Sequence, residues 1–131
     1  MTENFKMSFI LKNIRELKIF FATLLLIIGC TNVGEEPLIL RIGAEPSAKM
    51  RNDEGIKYFR AGRNYDALLQ FNQANLADPT SGEIHFNLGL SLWNENKRKR
   101  AIKHFKQAQK LAKGNPKILQ SQLINKILKE N

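Results

Sequence analysis

The feature that most restricts what this chain can fold into is its self-similarity. Sliding the sequence along itself until Gly55 meets Gly89 also brings Ala67 onto Ala101, Phe71 onto Phe105, Gln73 onto Gln107 and Ala74 onto Ala108. Similar pairs fall in the same register: Ile56 with Leu90, Phe59 with Trp93 and Leu68 with Ile102. A fixed period of about 34 residues means two copies of one supersecondary unit, which bury a continuous core only by stacking. Pro79 breaks the chain after the first copy, and Gly114-Asn115-Pro116 supplies a C-cap, an N-cap and a first-turn proline after the second. The pattern predicts helices over about 48–61, 64–77, 82–95, 98–113 and 116–129, with no sheet. The last would carry Leu119, Leu123, Ile124, Ile127 and Leu128 as one apolar stripe.

These residues resemble the tetratricopeptide repeat, a helix-turn-helix unit. In that family a glycine in the first helix and an alanine twelve residues on let the paired helices approach. An aromatic four residues later fills the space between helices, and a small residue three further on admits the next repeat. Gly55, Ala67, Phe71 and Ala74 stand at those places in the first copy, and Gly89, Ala101, Phe105 and Ala108 in the second. The family's closing proline is Pro79 in the first copy, whereas the second has Lys113 there. Arg51 and Glu54 also depart from the usual aromatic and leucine, which the second copy answers with His85 and Leu88. A polar outer face of that kind suits a terminal repeat. The resemblance spans about two thirds of the chain and implies an all-α fold. It would be a short α-solenoid with repeats at about 48–81 and 82–115 and a capping helix over 116–131. Two repeats and a cap lie near the lower limit for a shared core, so modest stability or a homo-oligomer is expected.

Residues 1–29 read as an address. Lys12, Arg15 and Lys18 precede the apolar run Ile19 to Ile28, which meets Gly29-Cys30. A basic region followed by a short apolar core is a secretory signal pattern, and a spanning helix needs about 20 apolar residues. Leu26-Ile27-Ile28-Gly29-Cys30 resembles the bacterial lipobox, with Ile28 bulkier than usual, which implies lipidation of Cys30. Met7 is an alternative start to Met1. The expectation is a membrane-anchored lipoprotein of the bacterial cell envelope on the extracytoplasmic side. Thr31 lacks the aspartate that retains enteric lipoproteins in the inner membrane, which favours the outer membrane where there are two. Residues 30–47 then read as the lipidated cysteine and a linker. Within it, Leu38-Ile39-Leu40-Arg41-Ile42 is either an extended segment packed on the domain or an apolar patch in a tether, and more weakly a strand for a partner.

In the family that the repeats resemble, function lies in the concave groove lined by the first helix of each repeat. The inward places correspond to Asn52, Ile56, Phe59 and Arg60 in the first copy and to Glu83, Phe86, Leu90, Trp93 and Asn94 in the second. Phe59, Phe86 and Trp93 would accept an apolar anchor from a protein or peptide partner in the envelope. Against this stands a second reading, that the preceding segment folds back to cover them. Asn87 matches an asparagine with which some members grip a C-terminal carboxylate. Asn52 and Ile56 replace the first lysine and asparagine of that set, so no carboxylate clamp is expected.

Charge is the other conspicuous property. The chain carries a formal +9, and nine Lys and Arg fall between Lys97 and Lys117 with no acidic residue among them. Lys99, Lys103, Lys106, Lys110 and Lys113 step by four, three, four and three, placing them on one helical face. Such a stripe is either a solvated face or a surface for anionic lipid or wall polymer, each lysine near a charged membrane contributing about 1 kcal/mol. Nucleic acid is disfavoured, because no stacking aromatics are interleaved with the lysines. Catalysis finds no support: His85 and His104 fall on different helices without a ligand set, the one cysteine is the lipid site, and glycine-rich phosphate loops are absent. No enzyme activity, cofactor or metal is expected.

Overall fold

The computed structural model describes residues 34–130, in which six helices and no strand are found. They are α1 (Pro46–Arg60), α2 (Asn64–Ala77), α3 (Gly82–Asn94), α4 (Arg98–Lys110), α5 (Pro116–Leu119) and α6 (Gln122–Lys129). The expected signal sequence and the expected lipidation site at Cys30 lie outside the described residues.

Helices α1 and α2 form one antiparallel hairpin and α3 and α4 a second, stacked through α2 and α3, with α6 against α4. Each hairpin turns the same way. The N–H of Arg63 reaches the carbonyl of Tyr58 and that of Lys97 reaches Leu92, while Gly62 and Asn96 hold the left-handed conformation the turn requires, at φ 75° and 57°. Glycine adopts it without steric cost and asparagine tolerates it. Inside each hairpin a glycine faces an aromatic ring. A Cβ on Gly55 would stand 2.5 Å from Phe71, and one on Gly89 would run into Phe105 in the same way. Phe71, Phe105, Ala74 and Ala108 are fully buried, so the repeat residues do the packing expected of them.

The architecture is the all-α short solenoid anticipated from the period. Two details differ. The closing helix is broken at Gln120-Ser121 into α5 and α6, because the Ser121 hydroxyl accepts the N–H of Ile124 at 3.0 Å and starts a new helix. The break turns the apolar stripe, so Ile118, Ile124 and Ile127 are buried while Leu119 is exposed. The residues expected to form a linker up to 47 are also different from a tether where they are described. The compact unit begins at Glu35, with Leu38 and Leu40 in the hydrophobic core. A turn follows, in which Ala44 N–H bonds Arg41 O and Gly43 has φ 84°. Glu45 then caps α1 by accepting the N–H of Ala48, with Pro46 in the first turn.

Candidate polypeptide-binding groove

The inner surface is built by α1 and α3, and the chain's own residues 35–42 occupy it. Asn87, fully buried on α3, reads the backbone of Leu38 on both sides. Its Oδ1 accepts the Leu38 N–H at 2.6 Å and its Nδ2 donates to the Leu38 carbonyl at 2.8 Å. Asn52 on α1 donates to the same carbonyl at 3.0 Å, and Asn87 Nδ2 also donates to Asn52 Oδ1 at 2.8 Å. Two repeats thus grip the backbone of one residue. From Leu38 to Arg41 the side chains alternate as in an extended strand, with Leu38 and Leu40 7% and 6% exposed and Ile39 70% exposed; the alternation ends at Ile42, which is fully exposed.

Polar clamps hold both ends of the segment. Arg41 Nε donates to Glu83 Oε1 at 2.9 Å and its Nη2 donates to the Ala112 carbonyl at 2.6 Å. Glu83 also accepts from Asn115 at 2.8 Å and from the Ser81 hydroxyl at 3.1 Å. Burial works against ionisation of Glu83, yet the hydrogen bonds from Arg41 and Asn115 outweigh it and hold the carboxyl below its ordinary range. At the other end, Glu35 accepts the Ser121 hydroxyl at 2.7 Å and the Leu123 N–H at 3.1 Å, and so sits at the N-terminus of α6.

This arrangement sorts the residues anticipated for the groove. Asn52, Ile56, Glu83, Phe86 and Leu90 are buried, and the three apolar ones share a core with Leu38 and Leu40. Phe86 packs edge-on to Phe105 with centroids 6.2 Å apart. The expectation of one open aromatic patch is therefore corrected: the fold-back of 35–42 removes half of it from solvent. Phe59 and Trp93 remain partly buried, and Arg60 and Asn94 exposed. Arg98 stacks over the Trp93 ring at 3.6 Å, and Arg60 pairs with Glu36 at 3.2 Å. The fold-back of Leu38 to Ile42 is the second of the two readings the sequence left open, whereas Glu35 as the partner of Ser121 and Leu123 was not anticipated. The available signal was a short, nearly continuous apolar run interrupted by one arginine.

On the opposite side, Lys99, Lys103, Lys106, Lys110 and Lys113 are all exposed, with no ion pair among the described residues. Beside them His85 and His104 join α3 to α4 through their Nδ1 atoms, 3.0 Å apart. The Pro79 carbonyl, 3.1 Å from His85 Nε2, can only accept, which puts the His85 proton on Nε2 and makes His104 the donor of the pair. Burial lowers the pKa of both, that of His104 to about 4, with His85, Arg100 and Lys103 adding repulsion. Among the described residues no group of three or more His, Cys, Asp or Glu is placed to hold a metal ion, and no helix is long and apolar enough to cross a membrane.

Residues 82–115 match the family model described as tetratricopeptide repeat, with the bounds that the internal period sets for the second copy. The chain therefore carries a repeat of a class that generally mediates protein–protein interaction. No curated protein and no solved structure matches it.

Proposed function

We propose that this protein is a lipid-anchored, non-catalytic interaction module of the bacterial cell envelope, whose helical repeats hold a partner polypeptide on the extracytoplasmic side. The observation that carries the reading is the groove's grip on extended backbone, through Asn87 and Asn52 at Leu38. The partly open stretch at Phe59, Arg60, Trp93 and Asn94 offers further contact area. The anchor rests on the lipobox-like Ile27-Ile28-Gly29-Cys30. The chain from Cys30 to Glu35 reaches at most about 18 Å, so a lipid there would keep the repeats close to the bilayer. An outer-membrane address is the favoured one.

A second reading draws on the exposed, unpaired lysines of α4, which would bind anionic lipid or wall polymer. In-cell photocrosslinking separates the two. A reactive residue at Asn94 is expected to give a discrete protein adduct, and one at Lys106 none. Lipid or polymer adducts at Lys106 with silence at Asn94 would reverse the assignment. Metabolic labelling with a fatty acid should mark the protein and spare the Cys30→Ser variant; equal labelling of both would remove the anchor.

A further inference from the structure

Residues 35–42 are bound as a ligand is bound. Their backbone is read by buried asparagines, their alternate side chains enter the core, and their arginine meets a buried carboxylate. The link from the segment to α1 is a turn at Gly43 and Ala44, where the Ala44 N–H bonds the Arg41 carbonyl and Gly43 has φ 84°. Beside the segment, a cavity of about 680 Å³ opens, lined by Glu36, Ile39, Arg60, Phe86, Lys117 and Gln120. It gives an incoming chain room to engage before the resident segment leaves.

We infer that residues 35–42 are an intramolecular competitor in a strand-binding site, and that the partner it excludes is an extended polypeptide of the same chemistry, Leu-x-Leu-Arg. The inference rests on the groove reading proposed above and names its ligand. Asn87 and Asn52 demand a free N–H and C=O at the first leucine position, which rules out proline there. Glu83, with Arg41 on one side and Asn115 on the other, demands the arginine. Competition from a tethered segment corresponds to an effective concentration of order millimolar. A partner is therefore held off until it exceeds that value or until the segment is loosened.

The test uses the full chain in detergent with Cys30→Ser and Ile39→Cys, a fluorophore at the exposed position 39 reporting segment mobility. A free peptide with the sequence of residues 34–43 is titrated in. The anisotropy of the label should fall as peptide binds, and a peptide with aspartate in place of the first leucine should have no effect. Arg41→Ala in the protein should strengthen the apparent peptide affinity at least tenfold, because it weakens the competitor while the peptide still brings its own arginine. No binding to either protein at millimolar peptide, with helical circular dichroism intact, would overturn the inference. So would dimerisation that the peptide does not reverse, which would assign the site to a second copy's segment. Should Asn94 crosslink a partner while the peptide never displaces the segment, the interaction module stands and the competitor role alone fails.

Discussion

The two repeats share a backbone and differ in almost everything their neighbours decide. In α1 only Ala48, Asn52, Gly55 and Ile56 are buried, whereas α3 is buried at every position from Gly82 to Leu92. The same backbone place is Glu54 in one and Leu88 in the other, partly exposed against fully buried. On the outer helices Tyr65, Leu69 and Leu76 occupy the positions that Lys99, Lys103 and Lys110 take one period later, all six exposed. The first repeat has five basic and four acidic residues, the second eight and two. A repeat's period fixes its hairpin; burial and charge then follow from whether another layer covers each face. The central helix α3, between α2, α4 and the 35–42 segment, has no solvated side from Gly82 to Leu92, and its buried Glu83, His85 and Asn87 are each hydrogen-bonded.

The largest expected contrast lies at that place. Leu88→Ala should destabilise by about 2–5 kcal/mol through a cavity that α3 cannot close, while Glu54→Ala should stay within about 0.5 kcal/mol. Urea unfolding of both variants measures this, and similar costs would mean that the repeats are equally buried in solution. Next comes the buried amide. Asn87→Ala strands the N–H of Leu38, whose carbonyl keeps the bond from Asn52, and should cost about 1–3 kcal/mol, against a few tenths for Asp53→Ala, whose exposed pair with Lys49 occupies the corresponding place.

The helix-bridging pairs sharpen the comparison through pH. Positions 51 and 70 are bridged by Arg51 and Gln70 at 3.3 Å, and positions 85 and 104 by two histidines at 3.0 Å. Folding lowers the pKa of His104 to about 4 from an ordinary value near 6.5. Between those values the unfolded chain binds more protons than the folded one, so stability is complete above about pH 6.5 and falls as pH drops towards 4. The double variant His85→Arg with His104→Gln copies the first repeat's pair and should flatten the change in urea midpoint between about pH 7.5 and 5. Glu83 acts in a lower window, its stabilisation lost only as pH falls below the ordinary carboxylate range, so it leaves this comparison undisturbed. The smallest effect on stability belongs to the lysine face. Replacing Lys103, Lys106 and Lys110 by glutamine should move the urea midpoint little, yet reduce any salt-sensitive binding to anionic vesicles. A midpoint that shifts strongly would show that the stripe is packed.

Much of this was legible from residue types at fixed spacing. Gly55 with Phe71 and Gly89 with Phe105 disclosed the hairpins, because close helix approach tolerates few substitutions. The break at Ser121 escaped, since an apolar stripe continues through Ile118 and Leu123, and the capping serine that interrupts it is held by Glu35 from far along the chain. The groove residues were located, but their accessibility was not. Phe86 looks like a surface anchor by position and is core by neighbourhood, as is Asn87, whose partner Leu38 lies distant in sequence.

The sequence by itself determined the four repeat helices, their pairing into two hairpins and the side of the solenoid on which a groove must form, because those depend on local periodicity and on small residues at contact points. Tertiary structure alone decided that residues 35–42 fill that groove. Leu38 to Ile42 is apolar at four of its five positions and suits any apolar surface, and only the meeting of Asn52, Asn87 and Glu83 from two repeats gives its backbone and its arginine one place to be satisfied.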